Sequence, residues 1–166
     1  MNKMKNNYTR WQLTFLVALR FLIGWHLLYE GVAKLLNPQW SSVGFLKESQ
    51  WILAGFADWV VTNPNILNTV DFLNTWGLIA IGLGLILGMC FRVAALSGFV
   101  LLVVYYLNCP PLVGIEYALP ADGNNLIVNK TLIEAFALAV LALFPTSKIL
   151  GMDALVDRFK IKKEEK

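Results

Sequence analysis

The stretch WQLTFLVALRFLIGWHLLYEGVAKLL, residues 11–36, decides how this chain folds. It exceeds the ~20 apolar residues that a membrane-crossing helix needs. It also carries four ionisable side chains, Arg20, His26, Glu30 and Lys34. At ~100° per residue all four fall on one side of a helix, with Gly24 and Gly31 next to them. Phe21, Leu22, Trp25, Leu28, Val32 and Leu36 fill the opposite side. Such a helix turns one side to lipid and the other to protein or water. A charge at the bilayer centre costs ~2.5–3.5 kcal/mol by the lower estimates, so these four side chains mark an interior with a purpose.

The rest of the chain agrees with a membrane setting. Of its 166 residues 57% are hydrophobic and only 15% charged, and the mean hydropathy is +0.59. A soluble domain of this length carries roughly a quarter charged residues. The net charge of +3 is no argument for nucleic-acid binding, because the basic residues gather at the chain ends and in one short turn. The apolar stretch at the start is too long for a signal peptide. It holds four ionisable groups and ends at Asn37-Pro38 with no small-residue cleavage site, so it reads as a retained helix.

Working outward, four spans are expected, at about 11–36, 74–91, 93–108 and 126–144, in one domain covering residues 1–166. The expected fold is all-α, an integral membrane four-helix bundle. Pro38, Pro110-Pro111 and Pro145 mark helix ends. Lys3, Lys5, Arg10, Arg92, Lys148, Arg158, Lys160, Lys162, Lys163 and Lys166 all fall on one side of this topology. The 37–73 and 109–125 loops hold Lys47 against Glu48, Asp58, Asp71, Glu116 and Asp122. Excess Lys and Arg stays cytoplasmic, which predicts an inner-membrane, multi-pass protein with both termini in the cytoplasm. Trp51 to Val61 reads as an interfacial helix on the outer side, and Leu150 to Ile161 as a cytoplasmic amphipathic helix. Gly77, Gly84 and Gly88 form a small-residue stripe suited to close helix packing.

The fourth span opens Asn129-Lys130-Thr131-Leu132-Ile133-Glu134. Counting from the span centres puts Glu30 near the depth of Lys130 and His26 near that of Glu134. Two cross-helix pairs are therefore expected. Cations polarise carbonyl oxygens, and His26, Glu30 and Glu134 can pass protons. That makes His26, Glu30 and Glu134 the candidate catalytic residues, and Arg20, Lys34, Asn129 and Lys130 the candidate binding residues. A quinone head group would suit this chemistry, being an apolar ring with two carbonyls that take up protons on reduction. A charge-compensated core that only holds the helices in register is the competing reading. Cys90 and Cys109 bracket the third span roughly 20 Å or more apart at ~1.5 Å per residue, too far for a disulfide. With one histidine and no cysteine pair, no metal site is expected.

Three stretches together resemble the DoxX family, including the DoxD-type small subunit of thiosulfate:quinone oxidoreductase. They are Arg20-Phe-Leu-Ile-Gly24 leading to Glu30-Gly31-Val-Ala-Lys34-Leu35; Gly82-Leu-Gly84-Leu-Ile-Leu-Gly88-Met-Cys-Phe-Arg92-Val-Ala-Ala95; and Ile127-Val-Asn-Lys130-Thr-Leu-Ile-Glu134 followed by Gly151-Met-Asp153. The resemblance implies a four-helix membrane protein assembled with redox partners. In some members it implies thiosulfate oxidation with quinone as acceptor. By family position it points to Arg20, Glu30, Lys34, Lys130 and Glu134. Many members carry a glutamate at the start of the second span, where this chain has Asn74-Thr75-Trp76. Expected partners are the lipid bilayer and either further copies of the chain or a second membrane or periplasmic redox subunit. Two other functions fit the pattern, a non-enzymatic scaffold subunit and a small transporter or channel.

Overall fold

The computed structural model describes residues 8–115, 117–118 and 126–154. Among them the chain is helical, with no strand. The helices are α1 Arg10–Leu35, α2 Val43–Lys47, α3 Ala54–Thr62, α4 Pro64–Leu87, α5 Phe91–Asn108 and α6 Lys130–Leu143. Helices α1, α4 and α5 are long and apolar enough to cross a membrane.

Each long helix has an identifiable start. Thr9 caps α1 in a reciprocal pair, its hydroxyl accepting from the Gln12 amide while the Gln12 side chain accepts from the Thr9 amide. Helix α4 begins ten residues before the expected second span, with Asn63 as N-cap and Pro64 in the first turn. The fixed φ of proline suits that position and its missing N–H costs nothing there. The expectation followed the apolar run alone, so it passed over the polar turns from Asn65 to Asp71. Helix α4 ends at Gly88 in the left-handed conformation (φ 65°), and Cys90 is left-handed too (φ 47°), which reverses the chain into α5 within three residues.

Helix α1 packs on α4, α4 on α5, α5 on α6, and α6 reaches back to α1. Ile23, Leu27, Leu78, Ile81, Leu85, Phe91, Ala95, Leu102 and Leu138 form the core between them. The α1–α4 contact is a backbone approach. A Cβ on Gly82 would sit 2.6 Å from the Leu28 nitrogen and 2.7 Å from the Gly24 carbonyl oxygen, so only glycine fits. The close-approach residues are thus Gly24, Gly31 and Gly82. Of the stripe read from the sequence, Gly77 faces open space, Gly84 meets Ala94 and Gly88 serves as the helix cap. Phe21, Leu22, Trp25 and Leu36 of the expected lipid side are exposed, whereas Leu28 packs on Gly82 and, on the expected inward side, His26 and Glu30 are about half-exposed, because α4 docks on the glycine face between the two.

Helix α6 runs antiparallel along α5, with Tyr106 donating to the Ile127 carbonyl and Phe99 meeting Phe136 edge-on. At 14 residues it is shorter than a full span. Helix α3 lies inside the stretch expected to form an interfacial helix. It buries Ala57 and Val60 and leaves Phe56 and Trp59 exposed. The C-terminal amphipathic helix expected over residues 150–161 falls mostly outside the described residues.

Candidate functional site

The ionisable stripe of α1 does not form one cluster. It divides between Arg20, at the end holding the α4–α5 turn, and a ridge that runs from the middle of α1 to the end where α1 and α5 finish.

At the turn end stands Arg20, 6% exposed. One guanidinium nitrogen donates to the Leu150 carbonyl at 2.8 Å and to the Thr146 hydroxyl at 3.3 Å, and the charge lies 5.7 Å from the Phe91 ring centre. Around it the segment after α6 folds back on the turn. The Asp153 carboxylate accepts from the amides of Cys90 (2.9 Å) and Phe91 (3.2 Å), and the Asp153 amide donates to the Gly88 carbonyl. Cys90 offers no side-chain cap to α5, so a carboxylate sixty-three residues away caps it and answers its positive N-terminal dipole. Gly151 packs on Gly88 so closely that a Cβ on either would touch the other's Cα at 3.0–3.2 Å. Thr146, Ser147 and Pro145 are buried with them. The Gly151-Met152-Asp153 stretch therefore serves as a clasp.

Midway along α1, His26 Nδ1 and Glu134 Oε1 lie 2.8 Å apart, tying α1 to α6. The His26 side chain is 52% exposed and that of Glu134 16%. His26, Glu30 and Lys34 then follow one another at four-residue steps, so they share one ridge of the helix.

That ridge ends in the second group. Lys34 lies 3.6 Å from Glu30 Oε2, donates to Asn74 Oδ1 at 3.1 Å, and has the Tyr105 hydroxyl at 3.5 Å. Asn74 Nδ2 donates to that same hydroxyl at 2.5 Å. The ammonium also sits 5.0 Å from the Trp40 ring centre and 5.5 Å from that of Tyr105. The Lys34 side chain is 14% exposed, so its charge is partly desolvated and balanced mainly by Glu30 and two aromatic faces. Beside it opens a cleft of about 220 Å³ lined by Lys34, Trp40, Asp71, Phe72, Thr75 and Trp76. The Asp71 carboxylate accepts from Ser41 Oγ and from the amide and hydroxyl of Ser42, which pins the loop bearing Trp40 over the cleft. Asn108 adds a second staple through its bond to the Phe45 carbonyl.

Of the expected site residues, the structure joins His26 with Glu134 and Glu30 with Lys34, and leaves Arg20 apart in the clasp. Asn129 is the N-cap of α6, its Oδ1 accepting from the Leu132 amide, and Lys130 is the exposed first residue of that helix. Sequence reading did not place Asn74, Tyr105 or Trp40 in the site. Asn74 stands where many family members carry a glutamate, and a polar residue inside an apolar helix is the signal the sequence holds for it. Outside the spanning helices, burial pushes the Cys109 thiol up and Glu48 adds to that, while the bond to Asn108 pulls the other way.

The family model described as DoxX matches residues 15–108, from α1 to the last residue of α5. Arg20, His26, Glu30, Lys34, Asn74 and Tyr105 fall inside the match, whereas Asn129, Lys130, Glu134 and the clasp residue Asp153 lie beyond it. No curated protein and no solved structure matched the chain. With a match over more than half of its length and three helices apolar enough to cross a bilayer, the chain is a membrane protein of the DoxX family.

Proposed function

We propose that this protein is a membrane redox subunit that binds a quinone, akin to the DoxD-type small subunit of thiosulfate:quinone oxidoreductase. In this reading α6 completes a four-helix bundle, both chain ends are cytoplasmic, and the Lys34 end lies toward the outer leaflet of the inner membrane. The family membership supports the membrane setting. The observation that carries the quinone reading is the ridge His26–Glu30–Lys34, which leads from the His26–Glu134 pair to an aromatic-lined cleft. Quinone reduction consumes two protons, and titratable groups one helical turn apart are what a proton supply to such a ring requires. The donor implied by the resemblance is a small reduced sulfur compound, and a partner subunit would handle it.

The test is a titration of the purified chain with decylubiquinone, followed by thermal shift. Wild type should show a saturable rise in Tm, and Glu30→Gln should alter the size of that rise, because Glu30 lies 3.6 Å from the Lys34 ammonium. A wild-type Tm that does not respond to quinone removes the reading. The clasp around Arg20, where one guanidinium nitrogen bonds the Leu150 carbonyl and the Thr146 hydroxyl while the buried Nε has no hydrogen-bond partner among the described residues, favours a scaffold role as the second reading. Native extraction giving one constant partner at fixed stoichiometry, with no quinone response, would favour it.

A further inference from the structure

We propose that the cleft beside Lys34 seats the quinone ring, with Lys34 donating to one carbonyl oxygen and Asn74 acting as a positioning residue. The proposal rests on the quinone reading and names where in the molecule the ring sits.

Three observations carry it. First, Lys34 keeps donor capacity. Of its polar contacts only that to Asn74, at 3.1 Å, lies inside the ordinary hydrogen-bond range, whereas those to Tyr105 and Glu30 are 3.5 and 3.6 Å. An entering carbonyl oxygen at ordinary distance would replace a loose contact with a better one.

Second, Asn74 sets the direction of its neighbours. Lys34 can only donate, so it faces Oδ1, and the amide nitrogen is left to donate to the Tyr105 hydroxyl. The phenol oxygen thus accepts, and its own hydrogen points away from Asn74 and Lys34. A glutamate at this position would accept from both and would neutralise Lys34. The neutral amide leaves the ammonium charge available to a ligand oxygen.

Third, the cleft is shallow, open on one side and lined by aromatic residues. Trp40, Phe72 and Trp76 supply aromatic faces, and Phe72 and Trp76 are 61% and 47% exposed, so the ring can enter from the membrane-facing side. At about 220 Å³ the cleft is below the ~300–1,000 Å³ that encloses a drug-sized ligand. It fits a head group whose tail stays in lipid. By contrast His26 and Glu134, 2.8 Å apart, engage each other's facing atoms.

The experiment titrates the full chain in phosphatidylcholine nanodiscs with decylubiquinone and reads the saturable part of tryptophan quenching. Lys34→Met should weaken binding roughly tenfold or more, the loss of a charge-assisted hydrogen bond. Trp76→Phe should remove much of the saturable quench, and Trp25→Phe on the far side of α1 should keep it. Trp76 is half-exposed, so this variant decides the matter even if Lys34→Met does not fold. Wild-type binding in Trp76→Phe and Lys34→Met, with loss in Glu134→Gln, would move the ring to the α1–α6 pair and overturn the proposal while leaving the quinone reading intact. No saturable quench in wild type would end both.

Discussion

Arg20 and Lys34 stand on the same helix, both largely withdrawn from solvent, and their surroundings differ in kind. Arg20 is held by a carbonyl and a hydroxyl in a knot where backbones touch at Gly88 and Gly151. Lys34 has one firm bond, two long contacts and an open cleft beside it. A buried cation with its partners packed around it holds a fold together. A buried cation with loose partners and room beside it can accept a ligand. Lys34 has an acidic partner on its own helix, Glu30, and Arg20 has none, so the rest of the distinction lies in what the other parts of the chain bring to each.

The largest effect expected from this contrast is on stability at the turn end. Arg20→Ala leaves the Leu150 carbonyl and the Thr146 hydroxyl without their donor and opens a void, and should cost about 3 kcal/mol. Thermal unfolding would show this as a lower Tm with quinone affinity unchanged. Lys34→Met should do the reverse, and equal losses of Tm in the two variants would erase the contrast. Next in size, Asp153→Ala removes the remote cap of α5 and should cost about 1 kcal/mol. Hydrogen exchange at the Cys90 and Phe91 amides should speed up, with α6 unaffected.

Smaller still, Glu134→Gln removes the charge from the α1–α6 pair while keeping an oxygen that can accept from His26. Its histidine is half-exposed, so the cost should stay below ~1 kcal/mol. A larger loss would place this pair with the clasp rather than with the ridge. The least effect separates the two cysteines. The buried surroundings of Cys109 disfavour its thiolate, so its alkylation should be slow at pH 8 and climb only above the ordinary thiol range of ~8.5. Cys90 is exposed and should label first. Mass spectrometry of timed iodoacetamide labelling checks the order.

Much of this architecture was legible in the chain. The 3.6-residue period of residues 11–36 sets Phe21, Leu22, Trp25 and Leu36 outermost and Arg20 and Lys34 inward, whereas Leu28 is drawn in against Gly82 and His26 and Glu30 stay about half-exposed, because the neighbour a helix meets is not written in its own period. The depth count brought His26 level with Glu134, since rise per residue is constant. Asn74 was harder to place. Apolar runs show where lipid begins, not where a helix begins, and α4 starts at Pro64 in polar sequence. That extension lets Asp71 hold the Trp40 loop over the cleft. The clasp was illegible for another reason. No local rule pairs Asp153 with amides sixty-three and sixty-two residues earlier.

Composition and periodicity alone therefore determined that this protein is helical, membrane-bound and striped with charge along its first helix. These properties follow from how each segment partitions between lipid and water and from a helical period that needs no neighbour. Tertiary structure decided which charge is packed into a backbone knot and which is loosely held beside a cleft, because that depends on how closely backbones approach. Gly82 against Gly24, and Gly151 against Gly88, bring those backbones together, and Trp40 and Asn74 meet Lys34 only once the helices have docked.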